Sequence, residues 1–152
     1  MAPSDKCIDL IKSQEGLILH PYLDQAKIPT IGFGTTRYPN GTHVTMQDKT
    51  ITGEQAEGFL LNDLRDTVKA VNSMIPPGLS QNQFDALVDF AYNAGIGALH
   101  GSTLLKLIKA DPKDPGITNA FQLWDKIHLD GKLVVSDGLL KRRRAEAALY
   151  FS

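Results

Sequence analysis

The stretch from Thr52 to Pro77 constrains this chain more than any other. Thr52 with Gln55 three residues on makes a capping box, in which each side chain takes a backbone N–H that the first helical turn leaves unpaired. Ala56, Phe59, Leu60, Leu64, Val68, Val71 and Ile75 then recur at three- and four-residue steps and form one apolar stripe. Pro76-Pro77-Gly78 stops the helix. A helix over 53–75 is ~35 Å long at 1.5 Å per residue. Such a stripe needs separate partners at its two ends. A chain of 152 residues suffices for one real core and is too short for two ordinary domains. The helix is therefore expected to join two lobes of a single domain over 1–152.

The flanking sequences differ in texture. Ser4 is placed to cap a first helix with Cys7, Ile8, Leu10 and Ile11 on one broad face, and Gly16 to end it after Glu15. From about 16 to 52 a small β lobe is expected. Thr30 to Thr36 reads as a strand, Asn40-Gly41 as a tight turn and Thr42 to Thr45 as a return strand. From about 76 to 152 the pattern is helical. One helix is capped by Ser80 with Gln83 and closed near Gly95, and a short one starts at Ser102 or Thr103. Another runs from Ala120 to Ile127, a short extended stretch follows Asp130-Gly131, and a last helix is capped by Ser136 or Asp137. With the first helix, this is the larger lobe. The fold class is α+β.

Composition narrows the function. One cysteine rules out an intrachain disulfide framework, and four scattered histidines show no ligand spacing. No metal or other cofactor is expected. There is no apolar run of membrane-spanning length and no secretory signal, so no membrane insertion is expected. The net charge of −1 gives no whole-chain argument for nucleic acid. Lys141-Arg142-Arg143-Arg144 is basic, but its residues project in several directions around a helix and no aromatic platform accompanies them. No nucleic acid partner is expected. Cys7 and Trp124 read as core residues, and His20 and His43 as exposed loop residues.

Counting by fours from Cys7 through Ile11 reaches Glu15, which therefore projects from the buried side at the negative end of a helix. Burial and the dipole both favour its protonated form. Asp24 lies in the next loop, where a polar setting favours the ionised form, and Thr30 begins a strand. Cleavage of a glycosidic bond needs one protonated carboxylic acid and one ionised partner. Thr30, able to donate and accept, could hold a water against Asp24. The same three residues are, on local features alone, equally a helix-end Glu, a turn Asp and a strand Thr.

The spacing Glu15, eight residues, Asp24, five residues, Thr30 resembles the catalytic signature of glycoside hydrolase family 24, the phage-type lysozymes. Glu15-Gly16-Leu17, Pro21-Tyr22-Leu23-Asp24 and Thr30-Ile31-Gly32-Phe33-Gly34-Thr35 resemble it too, as do Phe90 to Gly95, Gly101 to Leu105, and Gly138-Leu139 with Arg142, Arg143 and Glu146. The resemblance spans nearly the whole chain. It implies a lysozyme-like fold with a cleft between the lobes. It also implies hydrolysis, with inversion, of the β-1,4 bond between N-acetylmuramic acid and N-acetylglucosamine in peptidoglycan, the one partner it names. Glu15 would be the general acid, with Asp24 and Thr30 activating water. Thr36, Tyr92 and Thr103 would contact sugar, and Arg142 or Arg143 would orient Glu15. The implied setting is a monomer held in the host cytoplasm until release and acting on the periplasmic wall, its export segment absent or removed. Family members usually carry glycine where this chain has Lys27, so a φ > 0 there would strain the loop, and the lysine could also reach substrate. The competing readings are a non-catalytic wall-binding or phage structural module of the same fold, supported only by Lys27, and an amidase, which lacks its metal ligands here.

Overall fold

The computed structural model describes all residues from 1 to 152. Seven helices and two antiparallel hairpins follow in the order α1 (Asp5–Glu15), β1 (Ile18–Leu23), β2 (Pro29–Gly32), α2 (Gly53–Met74), α3 (Gln81–Ala94), α4 (Ile96–His100), α5 (Thr103–Ala110), α6 (Gly116–Gln122), β3 (Lys126–Leu129), β4 (Lys132–Val135) and α7 (Asp137–Tyr150). The architecture is α+β. Two compact units are distinguished, one comprising Asp9–Asp66 and the other Met1–Ile8 with Thr67–Ser152. Their boundaries fall inside α1 and α2.

The helix ends follow their capping residues. Thr52 and Gln55 exchange both bonds of a capping box at the start of α2. Ser80 and Gln83 do the same for α3. Ser102 caps α5, and Ser136, not Asp137, caps α7. Gly16, at φ +71°, closes α1 by donating to the Lys12 carbonyl at 3.1 Å.

In the first unit β1 and β2 pair with Tyr22 opposite Thr30 and Leu23 opposite Pro29. β1 was not anticipated: Pro21 interrupts its pattern, and the ladder carries an irregularity between Ile18 and Tyr22. The strand expected to reach Thr36 instead ends at Gly32. Ile31 and Thr35 exchange N–H···O bonds of 2.9 Å around a tight turn, with Gly32 at φ +70° and Gly34 at +95°. The expected return strand at Thr42–Thr45 is reduced to an isolated bridge between Arg37 and His43. Local side chains capture its backbone: Thr42 N–H donates to Asn40, and Thr45 N–H to Asp48. Ile11, Ile31, Phe33, Val44, Ala56, Leu60 and Leu64 form the buried apolar set of this unit.

The second unit is built on α3 and α7, with Phe84, Leu87, Phe90, Leu104, Ile108, Phe121 and Tyr150 buried. Phe90 meets Phe121 edge-on at 5.9 Å, and Phe121 meets Tyr150 likewise at 5.9 Å. Two expectations fail here. The helix placed over Ala120–Ile127 stops at Gln122, and the chain then forms a β3–β4 hairpin rather than a single extended stretch. Asp130 (φ +50°) and Gly131 (φ +76°) make the two-residue turn with both central φ values positive that matches strand twist. Trp124 is not core: it is 38 % exposed, with its ring edge-on to Phe90 at 5.8 Å. The five-residue α4 had no clear sequence signal. Cys7 is fully buried beside the Asp85 carbonyl, and burial pushes its thiol far above the usual range.

Candidate active site

In the Asp9–Asp66 unit the end of α1 brings Glu15, partly buried, beside the Gly32–Gly34 turn. A Cβ on Gly34 would lie 3.6 Å from Glu15 Oε2, so backbone without a side chain forms that wall. Gly32 is tighter still, with its imaginary Cβ 3.2 Å from that of Ala56. One turn before Glu15, Lys12 pairs with Glu57 at 2.9 Å and lies 5.8 Å from the centre of the Phe33 ring. These contacts tie the helix end, the glycine turn and the start of α2 together.

Asp24 sits at the head of a closed turn. Its Oδ1 accepts from Ala26 N–H at 2.8 Å and from Ile28 N–H at 2.9 Å, and its carbonyl accepts from Lys27 N–H at 2.9 Å. No protein group donates to Oδ2. Thr30 is buried, and its hydroxyl donates to the Ile28 carbonyl at 2.8 Å. Ile28 thus anchors both residues, Asp24 through its N–H and Thr30 through its C=O. With its proton used, the Thr30 hydroxyl offers lone pairs. Lys27 adopts φ +60°, the left-handed conformation that strains a residue carrying a Cβ.

Tyr22 is a residue that sequence reasoning passed over. It stands opposite Thr30 in the ladder, so the two side chains share a face. Its phenol is pushed above the ordinary range by burial and then by the charges of Asp24 and Glu15. The charges of both carboxylates thus act on the hydroxyl, after burial. The signal available in sequence was its distance from Thr30 across a short turn, legible only once β1 is known to be a strand. Nearby, Thr35 donates to Asp63 at 2.8 Å; burial raises the Asp63 carboxyl, and that bond partly offsets it. Thr36 is exposed.

The other unit holds a pocket of about 600 Å³ lined in part by Asn93, Ser102, Thr103, Trp124, Lys126 and Leu133. Thr103 therefore faces a cavity, while Tyr92 is half-buried near the end of α3. Behind the pocket lies a buried charge network. Arg142 grips Asp89 with two bonds, the shorter 3.0 Å. Arg143 donates to Asn93 and stacks over Phe90 at 4.9 Å. Its Nε lies 3.0 Å from Glu146 Oε2 but does not aim its hydrogen there, so that contact is ionic without a hydrogen bond. Burial pushes the Glu146 carboxyl well above the carboxylate range, Asp89 adds to this, and the two arginines oppose it. No three His, Cys, Asp or Glu side chains are grouped to hold a metal ion. No helix is long and apolar enough to cross a membrane.

Comparison with known proteins agrees with this frame. The family model described as phage lysozyme matches residues 12–146. The chain is 39 % identical over 149 residues to an endolysin of Acyrthosiphon pisum secondary endosymbiont phage 1, covering 98 % of this chain and 97 % of the relative. It is 40 % identical over 147 residues to an endolysin of Bacillus phage B103, covering 95 % of this chain but 52 % of that longer protein. Among solved structures it is similar to an endolysin from Escherichia coli O157:H7 phage FAHEc1. The TM-score is 0.93 at 47 % identity, over 99 % of this chain and 93 % of that one. The matched span takes in both Glu15 with its loop and the helices that follow, and on that ground the chain belongs to the phage lysozyme family of muramidase-type glycoside hydrolases.

Proposed function

We propose that this protein cleaves the β-1,4 bond between N-acetylmuramic acid and N-acetylglucosamine in bacterial peptidoglycan, with Glu15 as general acid and Asp24 with Thr30 activating the water. The observation that supports it most is the shared Ile28 anchor. Asp24 Oδ1 is held by two backbone donors and Oδ2 is left without one. Thr30 has spent its proton on the Ile28 carbonyl and can only accept from a ligand. A water that gives one hydrogen to Thr30 Oγ1 and the other to Asp24 Oδ2 has its lone pair free for the sugar carbon. As the bond breaks, Glu15 gives its proton to the leaving oxygen, and Asp24 takes one from the water. The scheme is inverting and releases the α-anomer. Thr36, Tyr92 and Thr103 are assigned to sugar contacts in this reading, and Arg142 or Arg143 to orienting Glu15. The protein works as a monomer on the wall after release from the host cytoplasm.

Clearing of purified sacculi by the wild type and by Glu15→Gln tests the reading, with mass analysis of the fragments and NMR of the first anomer formed. Sugar-bond cleavage that the variant loses supports it. Clearing at equal rates removes Glu15 from its role, and cut peptide bonds overturn the substrate assignment. Replacing Arg142 and Arg143 singly by Gln, and comparing the alkaline limb of the pH profile, where the general acid ionises, with wild type, tests the orienting role.

A further inference from the structure

Two non-glycine residues adopt positive φ, Lys27 and Asp130. Asp130 occupies an Asp-Gly hairpin turn that favours that geometry, and its short polar side chain is among those that tolerate it. Lysine has no such compensation. Glycine would close the Asp24–Lys27 turn with the same N–H and less strain. The fold therefore gains nothing from this side chain, and its use lies outside the fold. Lys27 is exposed, forms no ion pair or side-chain hydrogen bond, and stands three residues from Asp24. Its stem carries a full charge roughly 6 Å from the backbone. Leu23 and Ile28 beside it are 51 % and 47 % exposed, so the rim of this loop is a cation set among apolar surface.

Resting on the muramidase reading above, we propose that Lys27 is a specificity-determining residue that pairs with a carboxylate borne by the peptide-substituted sugar chain, favouring acidic wall over the same glycan without its charge. The probes are purified sacculi and the same sacculi with their carboxyl groups converted to amides. Lys27→Met keeps the backbone strain and removes only the charge, and Lys27→Arg keeps the charge. At low salt, Lys27→Met is expected to lower the initial rate on untreated sacculi about threefold relative to the amidated ones, the size of an exposed ion pair. Lys27→Arg retains the preference, and about 0.5 M salt removes the difference between Met and wild type. Lys27→Met clearing untreated sacculi at the wild-type rate overturns this inference and leaves the muramidase reading intact. A wild type that clears neither substrate overturns both.

Discussion

At Lys27 the usual ranking of alanine and glycine should reverse. Where a backbone conformation suits any residue, replacing alanine by glycine costs about 0.4–1 kcal/mol, because glycine has more freedom to lose on folding. At φ +60° a Cβ costs about 1–2 kcal/mol that glycine avoids. The balance at this position favours glycine by about 0.8 kcal/mol, within a range of roughly 0–1.6. For a chain of 152 residues, an unfolding entropy of ~2.1 cal/mol/K per residue makes that about 2 °C in Tm. Thermal unfolding of wild type, Lys27→Ala and Lys27→Gly by circular dichroism reads it directly. Alanine and wild type should melt together, with glycine above both. The alanine variant separates backbone strain from charge, since it loses the ammonium and keeps the Cβ. A glycine variant that melts below the alanine variant refutes the reasoning, because the left-handed backbone would then carry no strain. Together with the role inferred for its side chain, the expected result is a Lys27→Gly protein that is more stable and slower on the wall.

Gly34→Ala introduces the same strain at φ +95° and puts a methyl 3.6 Å from Glu15 Oε2. Net of alanine's smaller loss of freedom on folding, it should lower Tm by up to roughly 5 °C, equivalent to ~0–1.6 kcal/mol, and reduce clearing further than that loss explains. Asp24→Asn keeps an oxygen for Ala26 and Ile28 but no base. Its unfolding free energy from denaturant titration should change by less than about 1 kcal/mol while the rate falls ~100-fold or more. Asp63 has a folded-state pKa above its ordinary 3.8. Its carboxyl therefore favours the fold when protonated, and that contribution is lost as pH rises through the folded value. The Tm of Asp63→Asn relative to wild type should then climb from pH 3.5 upward and level off once wild-type Asp63 is ionised; a flat difference would count against the burial of that group.

Local sequence determined what local chemistry controls. The capping boxes at Thr52 and Ser80, the Pro-Pro-Gly stop after α2 and Gly16 at the end of α1 are written in a few adjacent residues, and the backbone obeys them because unpaired N–H and C=O groups are costly. The spacing of Glu15, Asp24 and Thr30 was legible through its likeness to a family signature, as was the tension at Lys27, since local features alone left the three residues ordinary. What failed were the β elements. A strand exists through its partner, so Pro21 hid β1 until β2 supplied the ladder, while Thr42–Thr45 looked like a strand and lost its backbone donors to Asn40 and Asp48. Trp124 looked like core because an aromatic on a helical pattern usually is, yet the hairpin that begins two residues later leaves it lining a pocket. Only the tertiary structure decided that Tyr22 faces Thr30 and feels both carboxylates, and that one residue, Ile28, holds Asp24 and Thr30 together. Those relations depend on register and on which lone pair is already used, and both are set by pairing across the turn, beyond the reach of any one segment.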